Sequence, residues 1–251
     1  RFFFKRLPFG ITSAPEIFSA QISKLLEGLE GVLCHMDDLL IHGKTPEEHD
    51  YRLTQVLNRL KDANVVLNKE KCSFSQTSVK FLGNIIDSQG IRVDPDRVRA
   101  LEDLPTPKDI SGIRRLNGML NQLNKFVPNL AGKTEAFREL TKKNRKFCWT
   151  QDHQKILSEI IELVKKSICL TRYDVTAKAT VMADASAYGL GAILLQNEHD
   201  KLRIVMCASR SLQSAEKRYA QIEKEALAIA WAAEKFSKFL MGKKFTILTD
   251  H

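Results

Sequence analysis

Two aspartates, Asp37 and Asp38, stand side by side between the apolar runs Val32-Leu33-Cys34-His35-Met36 and Leu39-Leu40-Ile41-His42. Two short strand-like runs around a two-residue polar turn predict a β-hairpin with the acids at its tip. Aspartate is common in turns, so the pair is open to the plain reading of a turn. The flanks are almost wholly apolar, however, and predict a hairpin buried on more than one side. Like charges in such a place are costly unless a cation neutralises them. Hard divalent ions such as Mg²⁺ take carboxylate oxygens. The chemistry open to the pair is two-metal phosphoryl transfer, in which one ion activates an attacking hydroxyl and the other stabilises the leaving group.

A second set of acids is spread through the last third of the chain. Asp184 follows the run 180–183, Glu225 lies in an Ala-rich stretch, and Asp250 follows the strand-like run 245–248. Taken singly they read as a turn residue, a solvated helix acid and a strand terminus. The five cysteines offer no competing chemistry. Cys34, Cys72, Cys148, Cys169 and Cys207 form no C-x-x-C pair and no zinc-ligand spacing with a histidine, which suits free thiols.

The elements that must position these acids can be read from periodicity. Ser13-Ala14-Pro15-Glu16 is a capping-box pattern opening a helix over about 14–28, with Phe18, Ile22, Leu25, Leu26 and Leu29 on one face. After the hairpin, Thr45-Pro46-Glu47-Glu48 opens a second helix carrying Leu53, Val56, Leu57 and Leu60. Residues 65–67 and 79–86 are strand candidates, and Ser88-Gln89-Gly90 turns the latter into 91–93. From Asp94 the pattern becomes helical: a short helix to Leu104, a second carrying Ile113, Leu116, Leu120, Leu123 and Val127, and a third over about 152–167. From Lys178 alternation returns, with strands at 180–183, 191–195 and 203–208, a long helix over 214–240, and a strand at 245–248. The expected class is α+β, ending in a mixed sheet with a packed helix.

The 251 residues are 43% hydrophobic and 27% charged, an ordinary globular composition. No apolar run is long enough to span a bilayer and no signal peptide is visible. Net charge is +9, distributed unevenly: residues 1–91 are neutral, 92–176 carry +6 and 177–251 carry +3. A basic middle third suits a polyanionic partner. Its run Lys142-Lys143-Asn144-Arg145-Lys146 reads either as a solvated face or as a phosphate-backbone contact.

Four blocks in order then resemble one family. His35-Met36-Asp37-Asp38 is similar to the aromatic-x-Asp-Asp motif of reverse transcriptases, with histidine where Tyr or Phe is usual. Leu7-Pro8-Phe9-Gly10-Ile11-Thr12-Ser13-Ala14-Pro15 resembles the nucleotide-pocket segment of gypsy-type LTR retrotransposons. Leu67-Asn68-Lys69-Glu70-Lys71-Cys72 resembles the next block, and Val79-Lys80-Phe81-Leu82-Gly83 the start of the primer-grip hairpin. In the last third, 180–192, Ala208-Ser209-Arg210-Ser211-Leu212, 223–229 and Thr249-Asp250-His251 resemble the RNase H domain of the same elements.

The resemblance implies a partial polymerase palm at 1–93, a helical basic thumb or connection at 94–176 and a truncated RNase H-like domain at 177–251. Asp37 and Asp38 would be metal ligands, Phe9 and Gly10 would line the sugar pocket, Phe81, Leu82 and Gly83 would hold the primer end, and Lys71 would donate a proton. Asp184, Glu225 and Asp250 would hold the metals of the RNase H site, with Glu225 preferred to Glu223 through the Glu-x-x-Ala-Ile pattern. Two Mg²⁺ per site are implied, with Mn²⁺ as an alternative. The implied partners are primer-template, RNA–DNA hybrid, dNTPs and the protease and integrase of a Pol polyprotein, with no membrane; the setting is cytoplasmic, in retroelement particles. The family's first catalytic aspartate precedes the nucleotide-pocket segment, and its last RNase H acid follows the fourth strand, so the chain reads as a fragment. A decayed or domesticated nucleic-acid-binding remnant is the alternative. A stand-alone Mg²⁺ nuclease would leave the four polymerase blocks unexplained.

Overall fold

The computed structural model of the chain describes residues 4–142, 147–166, 168–198 and 201–249. The chain divides into two compact units, Arg1–Thr77 and Ser78–His251.

The first unit holds helix α1 (Ala14–Leu25), strands β1 (Val32–His35) and β2 (Asp38–Ile41) paired antiparallel, and helix α2 (Pro46–Asp62). Thr45 begins α2 as its sequence requires: the hydroxyl oxygen accepts the Glu48 N–H at 3.2 Å, and Pro46 fills the first turn, where no N–H is needed. Ser13 does not cap α1. Its backbone is already helical and its side chain makes no cap bond, so the helix begins on Pro15 and Glu16 alone. Ile22, Leu26, Val56 and Leu60 form a small core beneath one face of the hairpin. Arg59 ties α2 to the end of α1 by donating to the carbonyls of Leu25 (2.9 Å) and Glu27 (3.2 Å), and Arg52 donates to the carbonyl of His42 after β2 (2.7 Å). Residues 65–67 form no strand. The Val65 N–H turns back to the Leu60 carbonyl and Val66 is 93% exposed, so the apolar run is a helix exit with no partner strand among the described residues.

The second unit opens on an antiparallel meander of β3 (Ser78–Phe81), β4 (Asn84–Asp87) and β5 (Gly90–Val93). The single run expected over 79–86 is two strands, because Leu82 and Gly83 both adopt positive φ (+50° and +67°), the pattern of a two-residue hairpin turn. Helices α3 (Pro95–Glu102), α4 (Ile110–Asn121), α5 (Leu130–Lys133), α6 (Glu135–Glu139) and α7 (Gln151–Lys165) follow. Their core is built on Leu101, Ile113, Leu116, Phe137 and Ile160.

The last sheet contains β6 (Ala179–Ala185), β7 (Gly189–Glu198), β8 (Lys201–Ser211) and, after helices α8 (Gln221–Lys235) and α9 (Ser237–Leu240), β9 (Phe245–Leu248). Strand order is β8-β7-β6-β9, with β9 parallel to β6 and the other pairs antiparallel, the mixed sheet expected. Val181, Ala183, Leu190 and Leu194 pack on Ala228, Ala232 and Phe236. Small alanines on both surfaces let α8 lie close to the sheet. The helix expected over 214–240 is broken before Gln221, where Tyr219 and Ala220 are extended. Arg210 forms a two-pronged ion pair with Glu216 that holds the preceding turn against β8. Among the described residues no helix is long and apolar enough to cross a membrane.

Candidate active sites

The structure corrects the acid-tipped hairpin in two respects. The turn residues are Met36 and Asp37, while Asp38 is the first residue of β2 and pairs with His35. Met36 sits at φ +53°, a conformation uncommon for a residue with a side chain and characteristic of strained functional turns. The hairpin is also half exposed. Val32, Cys34, Leu39 and Ile41 meet the core, whereas Leu33 and Met36 are 52% and 51% exposed and both aspartates face solvent. A two-stranded ribbon has a second face, and the described residues of the first unit leave it open. The case for the pair as metal ligands therefore rests on two adjacent hard oxygen donors rather than on burial.

Phe9 is fully exposed and Gly10 (φ +85°) has open space where a Cβ would be. Lys71 is exposed at the end of a single 3₁₀ turn, Lys69–Lys71, capped by the Asn68 side chain. The hairpin turn at Leu82 and Gly83 is braced from two sides. Asn84 Nδ2 donates to the Leu82 carbonyl (3.1 Å), and so does the Arg97 guanidinium (3.1 Å) from α3. Sequence reading did not single out Arg97.

In the last sheet, Asp184 lies near the end of β6, exposed and opposite Gly191. It alternates with Ala183 and Ala185, which pack toward α8. Glu225, on α8, is only 6% exposed. Gln221, one turn earlier, donates to Glu225 Oε1 (2.6 Å) and to the carbonyl of Ala185 (2.8 Å), tying the glutamate to the residue beside Asp184. Among the described residues Glu225 Oε2 has no partner, and the other buried side-chain oxygen without one is Asn84 Oδ1. Glu223 is differently employed: it is exposed, and its carboxylate accepts the Ala220 N–H (2.7 Å), capping α8. Asp250 lies outside the described residues. In sequence it stands two positions past Leu248, as Asp184 stands two past Met182, the strand partner of Leu248. Among the described residues, no three His, Cys, Asp or Glu side chains gather closely enough to hold a metal. Gln221 escaped sequence reading, although its i, i+4 spacing to Glu225 places both on one helix face.

One further feature belongs to α4. Ile113, Leu116 and Leu120 are buried, and Arg114, Arg115, Gly118, Asn121 and Gln122 face solvent. Gly118 lies mid-helix with open space around it. Of the basic run at 142–146, Lys142 is described and pairs with Glu139; the remainder lies outside the described residues.

This α+β architecture is that of retroviral reverse transcriptases. The fold superposes on a foamy viral protease-reverse transcriptase solved with double-stranded DNA (TM-score 0.88, 22% identity, 98% of this chain and 44% of that one). It also superposes on one solved with an RNA/DNA hybrid (TM-score 0.85, 22% identity, 99% and 34%). Residues 1–86 match the family model of the reverse transcriptase (RNA-dependent DNA polymerase), and residues 149–247 that of the RNase H-like domain found in reverse transcriptase. The retrovirus-related Pol polyprotein from transposon 297 of Drosophila melanogaster is 33% identical over 98% of this chain and 23% of its own length. The Tf2-3 transposon polyprotein of Schizosaccharomyces pombe is 33% identical over 98% and 19%. The chain thus belongs to the reverse transcriptase and RNase H part of retroelement Pol polyproteins, and spans about a fifth of the length of these relatives.

Proposed function

We propose that the chain supplies parts of two phosphoryl-transfer sites of a gypsy-type element: an RNA-directed DNA polymerase, and a ribonuclease acting on RNA–DNA hybrid. Residues 1–93 serve as palm, 94–176 as thumb and 177–251 as the RNase H-like domain. The observation that carries the reading is Glu225 Oε2, a buried carboxylate oxygen without a partner among the described residues. Leaving such a group unsatisfied is costly, and a hard divalent cation satisfies it. Asp184, Glu225 and Asp250 would hold the metal there, and Asp37 and Asp38 would hold it in the polymerase site. Bound Mg²⁺, or Mn²⁺, would lower the pKa of the attacking water or hydroxyl and neutralise charge on the leaving oxygen.

The chain's own residues do the rest. Gln221 occupies Glu225 Oε1 and so reserves Oε2 for the metal. Exposed Phe9 offers a ring to the sugar of an incoming dNTP, and bare Gly10 admits it. Phe81, Leu82 and Gly83 hold the primer end, and Lys71 gives a proton to the leaving pyrophosphate. On α4, Gly118 lets a duplex approach the helix axis while Arg114 and Arg115 meet its phosphates. Without such a ligand, a mid-helix glycine on an open surface has no structural reason within the chain.

The test is reciprocal, in the Pol protein carrying this segment. Asp37→Asn is expected to abolish DNA synthesis and spare RNA cleavage, and Glu225→Gln to do the reverse. Loss of both activities from either substitution in a folded protein would refute two separate sites.

A further inference from the structure

The strand that bears Asp184 is joined to the Leu82-Gly83 turn by a continuous run of contacts inside the second unit. Arg97 donates to the Leu82 carbonyl and lies where a Cβ on Gly83 would stand. Arg97 lies on α3, whose Leu101 shares a buried core with Val93 of β5 and with Leu123 and Phe126, the residues on either side of Asn124 and Lys125. The Lys125 carbonyl accepts the Cys207 N–H of β8 (3.0 Å). Next to it, Asn124 and Ser209 clasp each other across 85 residues of sequence: Asn124 Nδ2 donates to the Ser209 carbonyl (3.1 Å) and Ser209 Oγ donates to Asn124 Oδ1 (2.7 Å). Ser209 Oγ also accepts the Ala131 N–H (2.9 Å) at the start of α5.

Ser209 is paired with Gly191, and Gly191 with Asp184. The sheet is bare where α5 rests. A Cβ on Gly189 would lie 3.6 Å from the Ala131 Cβ and only 2.8 Å from the Arg210 carbonyl, and one on Gly191 would lie 3.9 Å from the Asn129 Cβ. The bonds among Asn124, Ser209 and Ala131 involve no acid of either site.

We propose that the Asn124–Ser209 clasp is a positioning device that sets where RNA is cut relative to the primer end. It fixes the β3–β4 turn and the Asp184 row of the sheet in one register, as parts of a single compact unit. This rests on the reading above, in which the turn holds the primer end and the sheet cuts the hybrid. A serine hydroxyl that both donates and accepts, locked between two elements, is poorly replaced by a methyl group.

The experiment uses the Pol protein and an RNA template annealed to a DNA primer of defined 3′ end. The wild type is expected to cut at a narrow set of positions counted from that end. Ser209→Ala is expected to spread or shift the cuts by a nucleotide or more, with no change in rate on a closed circular hybrid that has no primer end. Ser209→Thr keeps the hydroxyl and is expected to restore the pattern. An unchanged cut pattern in Ser209→Ala overturns the proposal. Should that variant not fold, hydrogen exchange on the wild type decides: the Ala131 and Cys207 amides are expected to be as protected as Leu194 in the sheet core, and rapid local exchange at both overturns the clasp. A wild type that cuts no hybrid counts against the ribonuclease reading instead, and the exchange measurement still judges the clasp.

Discussion

The two acid sites are built in opposite ways. Asp37 and Asp38 project from a two-stranded ribbon with one covered face, and both carboxylates are in water. Glu225 is buried on the helix that packs on a four-stranded sheet, held at one oxygen and, among the described residues, unpartnered at the other. The first arrangement costs the fold little and leaves the pair dependent on whatever is brought to it. The second bears a standing cost that a ligand relieves. A site's readiness is thus a matter of the layer beneath it as well as of its acids.

The largest effect expected from breaking this contrast is catalytic. Glu225→Gln should lower hybrid cleavage by at least about 100-fold, since in the proposed site it removes a direct ligand and not merely an outer partner. Glu223→Gln, which keeps an acceptor for the Ala220 N–H, should leave cleavage near wild type, and equal losses would refute the choice between them. The next effect is on stability. In metal-free buffer Glu225→Gln should raise unfolding stability by about 1 kcal/mol, because a neutral amide is less costly to bury unpaired than a charge. Asp37→Asn should leave the unfolding midpoint unchanged. Added Mg²⁺ should raise the midpoint of the wild type and not that of Glu225→Gln, and equal shifts in a thermal scan would erase the distinction.

A comparable gain, also about 1 kcal/mol, is expected for Gly118→Ala from helix propensity alone. Gly118→Leu should instead weaken primer-template binding, and unchanged affinity in a filter assay at fixed salt would remove α4 from the duplex contact. The smallest effect concerns Glu135. Burial pushes its carboxyl up, but ion pairs with Lys217 and Arg138 outweigh this, and its folded pKa lies below the ordinary value. The pair's stabilisation should be present above the unfolded carboxylate pKa and lost as pH falls through the lowered folded one. The fall in Tm over that acid range should be shallower in Lys217→Gln, and parallel curves would show that the pair contributes nothing.

Much of this was legible in the sequence where local chemistry and periodicity agreed. Thr45 and Pro46 marked α2, and the alternation over 180–195 marked the hairpin beneath Asp184. What escaped was conformation that residue type opposes. Leu82 is a poor candidate for positive φ, so 79–86 read as one strand although Gly83 hinted at the turn. The apolar run at 65–67 has strand composition but finds no neighbour to pair with. Tyr219 and Ala220 interrupt a helical pattern because Arg210 and Glu216 hold the turn before them, a contact no local pattern encodes. At the sites, the acids were recognisable by motif, whereas Gln221 and Arg97 act through groups that are visible only in three dimensions.

The meander from Ser78 to Val93 bears on how such a chain can be cut into pieces. Recognisable polymerase sequence runs to residue 86, which lies inside β4, but β4 is hydrogen-bonded along its length to β5, and Arg97 beyond them braces the turn. A break at 86 would strip a strand of its partner and expose a sticky edge. A break between Thr77 and Ser78 severs no strand pairing among the described residues. The boundary between the two compact units, at 77/78, is therefore displaced from the boundary at 86 that sequence similarity draws.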